Sequence, residues 1–169
     1  MQKIEVCFEP STKKEASAML SLADIRAGET LVDLGSGDGC IVVPAALRGA
    51  YAIGVEKDSE LLSAARKKVR EYGVSDRVRF FRGRIERFVI GRYSPISFAN
   101  VVAVNLYEEQ NEILAEPLRK KLPSAGRIVS NNATFPRWVT SDVRSVVNPD
   151  TRRITYVYLY RMNSLKYRR

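Results

Sequence analysis

An apolar run that ends in three evenly spaced glycines, Leu31-Val-Asp-Leu-Gly-Ser-Gly-Asp-Gly39, constrains this chain more than any other stretch. Glycine has no Cβ and tolerates positive φ, so such a turn lets backbone come within contact distance of a ligand. Set between a strand and a helix, it also presents unpaired helix N–H groups to that ligand.

The spacing separates one class of nucleotide cofactor from another. A dinucleotide fingerprint needs G-x-G-x-x-G/A, but here Gly35, Gly37 and Gly39 alternate with other residues and Cys40 takes the third small position. That argues against NAD or FAD. Asp33, two residues before the first glycine, would repel a pyrophosphate and suits a cationic ligand. A second short strand, Ala52-Ile-Gly-Val-Glu56, ends in an acid. An acid about 20 residues past the glycine turn is the usual partner of ribose hydroxyls. The alternative reading is an ordinary tight turn with a surface glutamate.

With 169 residues the chain is sized for one domain spanning 1–169, and such a domain buries roughly 70% of its unfolded surface. Its two cysteines, Cys7 and Cys40, lack metal-type spacing and read as reduced thiols of a cytoplasmic protein, with no metal site. No apolar run has the length of a membrane span or a leader core, so no membrane partner is expected. There is no histidine, which excludes Ser-His-Asp and Cys-His catalysis. The net charge of +9 is uneven: residues 66–92 hold ten basic and three acidic side chains, and 151–169 hold six basic and none acidic. A basic flank and a basic tail (162–169) fit nucleic acid or an acidic protein partner, or simply a solvated surface.

The periodicity predicts a helix from Thr12 to about Ala23, with Thr12 and Glu15 as its capping pair. Strands follow at 30–34, 51–56, 77–81, 98–104 and 127–130. The helices between them run from about 41 to 47, from Asp58 to Gly73, and over 108–122, with a kink or break at Pro117. The arginines in and beside the third strand (Arg77, Arg79, Arg82) suit a sheet edge. A last, half-buried strand at 154–160 alternates Thr155, Val157 and Leu159 with Tyr156, Tyr158 and Tyr160. Alternating strands and helices mean an α/β fold with a parallel sheet and helices on both faces. The final strands lack room for another crossover and should form an antiparallel hairpin.

The glycine motif and Glu56 together resemble class I S-adenosylmethionine-dependent methyltransferases. That implies a Rossmann-like seven-stranded sheet, mostly parallel with an antiparallel C-terminal hairpin. Five segments (8–12, 33–43, 111–122, 127–138 and 155–160) resemble more narrowly the archaeal broad-specificity protein-lysine methyltransferases and their mitochondrial relatives. The resemblance covers about residues 8–161 and includes Pro117. It implies S-adenosylmethionine as cofactor, with Asp33, Gly35, Ser36, Gly37 and Gly39 at its amino-acid and sulfonium end. Glu56 would take the ribose, Lys57 the adenine, and Pro10 to Thr12 would close over the methionine moiety. Ser130 to Asn132 and Trp138 fall near the substrate side, where plain packing also explains Trp138. After the third strand the family has an acid toward adenine, whereas this chain has Gly83-Arg84-Ile85.

The resemblance implies that Asn105, just past the fourth strand, stands at the acceptor, with Tyr107 beside it. Asn105 also borders the cofactor. Glu108 and Glu109 either attract a cationic side chain or serve as helix-start acids. The expected substrates are lysine side chains of proteins, with RNA as an alternative partner. A small-molecule enzyme of the precorrin type and a cofactor-binding protein without turnover are the other readings. Nothing in the sequence sets an oligomeric state, and a monomer suffices.

Overall fold

The computed structural model describes residues 11–92, 94–148 and 151–168; Cys7 and Pro10 lie outside them. Helix α1 (Lys13–Leu22) starts as its sequence dictates. The Glu15 N–H donates to Thr12 Oγ1 at 3.2 Å, and the Thr12 N–H donates to Glu15 Oε2 at 2.7 Å. Strand β1 (Thr30–Leu34), helix α2 (Val42–Leu47) and strand β2 (Tyr51–Glu56) form the first βαβ unit. Helix α3 (Ser59–Glu71), capped by Asp58, leads to strand β3 (Val78–Arg82). Helix α4 (Ile85–Ile90), strand β4 (Val101–Val104), helix α5 (Glu108–Lys121) and strand β5 (Arg127–Asn131) complete the parallel part. Short β6 (Trp138–Val139) precedes β7 (Asp142–Val147) and β8 (Ile154–Arg161), and β9 (Lys166–Tyr167) ends the described chain.

Seven strands make one sheet in the order β3-β2-β1-β4-β5-β8-β7. Strands β1 to β5 run parallel, and β8 inserts antiparallel between β5 and β7. The arginine-bearing β3 is an edge, as its charge implies. One face is covered by α1 and α2, with Ala16, Met19, Leu20, Val42 and Ala45 packing on Leu31, Ala103, Val129, Val157 and Leu159. On the other, Ile85, Val89, Leu114 and Leu118 of α4 and α5 pack on Val32, Leu34, Val102, Val104 and Ile128. The two covered faces explain why β4 reads as an unbroken apolar run.

Four expectations change. The fourth strand begins at Val101, because Ser94 caps a 3-10 turn over Pro95–Phe98 and Asn100 spends its side chain accepting from the Thr30 N–H at 2.8 Å. Helix α5 runs through Pro117 without a break. The carbonyl that the proline leaves without a donor belongs to Ile113, a residue 60% exposed, so water can satisfy it. Helix α4 was invisible in the sequence, being six residues with two arginines around it. Tyr160 does not face out with Tyr156. It is fully buried, its hydroxyl accepting from the Phe135 N–H at 3.1 Å with the Trp138 ring 5.7 Å away. The basic tail is tied down where described, since β9 pairs antiparallel with β6.

Candidate functional site

The order of strands reverses between β1 and β4, and in such sheets ligands sit outside the carboxyl ends at that point. There the chain makes its glycine turn. Gly35, Gly37 and Gly39 all have positive φ (85°, 51° and 82°), which side-chain-bearing residues adopt at a cost. Gly35 and Ser36 donate to the carbonyl of Val55 at 2.9 and 3.0 Å, pinning the turn to β2. A Cβ at Gly35 would meet Leu106 Cδ2 at 3.3 Å, so the segment after β4 closes directly on the turn. Asp38, on the turn, pairs with Lys68 of α3.

Two carboxyls flank this loop in different states. Glu56 is held by backbone alone: Oε1 accepts from Lys57 N at 2.7 Å and Asp58 N at 2.9 Å, and Oε2 accepts from Gly37 N at 3.1 Å. A carboxylate offers about four acceptor sites, so capacity for a hydroxyl donor remains. Asp33 is 1% exposed, and its Oδ2 has no hydrogen-bond partner. Burial pushes its carboxyl up to about 8, with the charge of Glu56 adding to the shift. Ser36 Oγ, Ser11 Oγ and Asp38 Oδ1 are likewise buried without partners. Orphaned acceptors of this kind are rare in folded proteins and costly. Grouped on a glycine cradle, they fit a ligand that brings cationic N–H donors, such as the ammonium of an amino acid.

The start of α1 lies beside the same loop. The Cys40 thiol, hydrogen-bonded by the main chain of Ser11, is pushed up to about 12 by burial first and by Asp33 and Asp38 next. It is an inert thiol and not a nucleophile. Thr12 caps α1 and is half-buried. Lys57 is exposed, and Gly83 is tied back to β2 through its N–H on the Glu56 carbonyl at 2.9 Å. Arg84 projects outward toward Glu86 (3.4 Å) with 71% of its side chain exposed, so it does not fill the crevice. The Ile85 side chain belongs to the core beneath α4.

Past β4, Asn105 Oδ1 accepts from Asn131 Nδ2 at 3.4 Å. Asn131 is 1% exposed and its own Oδ1 has no partner. The pairing was missed from sequence, although the polar run Ser130-Asn131-Asn132 closing an apolar strand was its signal. Tyr107 is 49% exposed and begins α5, its N–H donating to Gln110 Oε1 at 3.3 Å. Asn111 ties α5 to the loop after β5, donating to Ser130 Oγ and to the carbonyls of Ala133 and Thr134 at 3.2–3.3 Å. Thr134 in turn donates to Glu108. Trp138 stacks on Phe135 at 4.6 Å and is 2% exposed, which makes it a packing residue.

Residues 33–142 match the ANTKMT methyltransferase domain, well over half the chain. The chain belongs to that family. It is 30% identical to a protein-lysine N-methyltransferase of Saccharolobus islandicus over 156 residues, covering 91% of this chain and 93% of that one. It is 28% identical to a human lysine N-methyltransferase named for an ATP synthase component, covering 85% of this chain and 58% of that longer one. A solved structure of an RNA methyltransferase from Salinibacter ruber, in complex with S-adenosyl-L-homocysteine, is 33% identical and superposes with a TM-score of 0.79 over 92% of this chain and 95% of that one. This family member is an S-adenosylmethionine-dependent methyltransferase, and the donor set on its glycine turn suits that cofactor. No helix among the described residues is long and apolar enough to cross a membrane.

Proposed function

We propose that this chain transfers methyl groups to lysine side chains of proteins. The observation that carries it is the end-to-end match to the archaeal protein-lysine N-methyltransferase. The bound cofactor supplies an electrophilic methyl on a positively charged sulfur. Asp33 and the backbone of Gly35, Ser36, Gly37 and Gly39, with Thr12 beside them, would hold its amino-acid end. Glu56 holds the ribose, while Lys57 and the Gly83-Arg84-Ile85 segment border the adenine.

The chemistry left to the protein is alignment and a proton. A lysine with an ordinary pKa near 10.4 costs about 4.6 kcal/mol to hold neutral at pH 7. No histidine exists to take that proton, so it passes to water once the amine has been desolvated. Asn105, oriented by Asn131, offers a neutral oxygen for an amine N–H, and the orphaned Asn131 Oδ1 offers another. With both N–H bonds so directed, the nitrogen lone pair would be left to face the transferable methyl. Tyr107 walls the acceptor side. The amine's lone pair would make the new C–N bond, and the S–C bonding pair would leave with the neutral sulfur of the demethylated cofactor. The inert Cys40 thiol suits a cytoplasmic setting.

The Salinibacter relative favours RNA as the second reading. Radiolabelled S-adenosylmethionine incubated with separated protein, RNA and small-molecule fractions decides between them. Label in protein, recovered as methyl-lysine, is the expected result. Label in RNA alone overturns the lysine assignment.

A further inference from the structure

Apart from Arg84 beside the adenine, the basic flank has no part in the chemistry above, yet the fold sets several of its side chains in place. Between residues 77 and 92 the chain carries six arginines, one glutamate and no lysine. Arginine, unlike lysine, stacks its planar head on rings and grips phosphate in a fork. Strand β3 is the sheet edge, and its register sets Arg79 beside Ile53 and Phe81 beside Val55. Those side chains share the face that carries α4 and α5, but α4 reaches only the carboxyl end, where Phe88 meets Phe81 at 5.4 Å. The amino end stays open. Phe81, toward the carboxyl end, is still 47% exposed, and at the amino end Tyr51 and Phe98 are 51% and 59% exposed. Tyr51, Phe98, Arg77 and Arg79 line a hollow of about 250 Å³ there.

Both arginines of the hollow are set in place. Arg77 lies over the Tyr51 ring at 5.5 Å and donates to the Gly49 carbonyl at 3.1 Å, with Asp76 at 3.9 Å. Arg79 donates to the carbonyls of Ser75 and Val78 at 3.2 and 2.8 Å. A guanidinium has five N–H donors, so each keeps several for an anion. Half-exposed rings interleaved with arginines on an open sheet face are the physical recipe for single-stranded nucleic acid: bases stack on the rings while phosphates meet the guanidinium groups. A long acidic peptide would use the charge but would leave three aromatic faces unused.

We propose that the β2–β3 face, from the Tyr51–Phe98 hollow to Phe81, binds single-stranded nucleic acid. Its hollow lies at the opposite end of β2 from Glu56, its other end reaches Phe81 beside Val55, and the proposal does not rest on the lysine reading. The test is fluorescence anisotropy with a labelled 12-nucleotide oligouridylate, titrated from 50 to 200 mM salt. Polyglutamate of equal charge serves as competitor. Phe98→Ala and Tyr51→Ala should each weaken binding roughly 5- to 100-fold, the range of one lost stacked base. Arg79→Ala should reduce the salt slope by about 1. Cofactor binding by calorimetry should be unchanged in all three, which shows that they are folded. Binding that survives all three substitutions, or is absent at 50 mM salt, overturns the proposal. Displacement by polyglutamate as effective as by unlabelled oligouridylate overturns it too, in favour of an acidic protein partner.

Discussion

A buried aspartate with a partnerless oxygen opposes the fold that holds it. Asp33 keeps its proton up to about pH 8 because burial penalises the charge. The unfolded chain gives that proton up near pH 3.9. A folded-state value above the unfolded one contributes stability that is complete below about pH 4 and lost as pH rises toward 8. No histidine titrates in this window. The ligand-free protein should therefore melt at lower temperature at pH 8 than at pH 5, and Asp33→Asn should flatten that decline. The same substitution should weaken S-adenosylhomocysteine binding at least tenfold by calorimetry. A wild-type melting temperature that is flat from pH 5 to 8 would count against the buried state of Asp33. The sequence assigns Asp33 and Glu56 different ends of a ligand but does not distinguish their protonation states. Their difference comes from three backbone N–H groups on one and none on the Oδ2 of the other.

Helix α5 shows how an element tolerates a residue that its interior should reject. Proline costs about 3 kcal/mol relative to alanine inside a helix. Here the cost falls on a solvent-facing turn, and Leu114 and Leu118 on the opposite stripe are fully buried. Packing of that stripe overrides the local preference. Pro117→Ala should restore the missing hydrogen bond and raise stability by about 1–2 kcal/mol, once the extra freedom of the unfolded chain is counted. Urea unfolding measures it. A destabilised variant would mean that the proline shapes the helix for packing. The strongly patterned elements α1, β1, β2, α3 and β5 were legible within a residue or two, because caps and periodicity are local. Helix α4 and the short β6 and β9 were not. The two-residue strands carry no pattern at all, and α4 has only Ile85 and Val89 buried between charged residues; Phe81 packs on α4 from β3, and β6 and β9 exist by pairing with each other.

At the scale of the molecule, the amino end of the sheet, opposite the site, is braced by contacts between distant parts of the chain. Arg127 at the start of β5 pairs with Glu29 at 2.5 Å and donates to the Asp24 carbonyl at 3.1 Å, both in the turn between α1 and β1. The two side chains are 10% and 22% exposed, so removing one leaves the other partly buried without its partner. Arg127→Ala should cost about 2–3 kcal/mol in unfolding free energy, below the range for fully buried pairs. A loss under about 0.5 kcal/mol would show the pair to be ornamental. Local chemistry in the sequence determined the glycine turn, the two acids flanking it, the winding of the sheet and the family, because each depends on neighbours within a few residues. Only the tertiary structure decided that Asn131 meets Asn105, that Asp33 Oδ2 is left without a partner, that Tyr160 turns inward, and that the arginine-rich edge keeps its rings half-exposed. Those outcomes depend on what packs against each side chain, and packing partners here lie tens of residues apart.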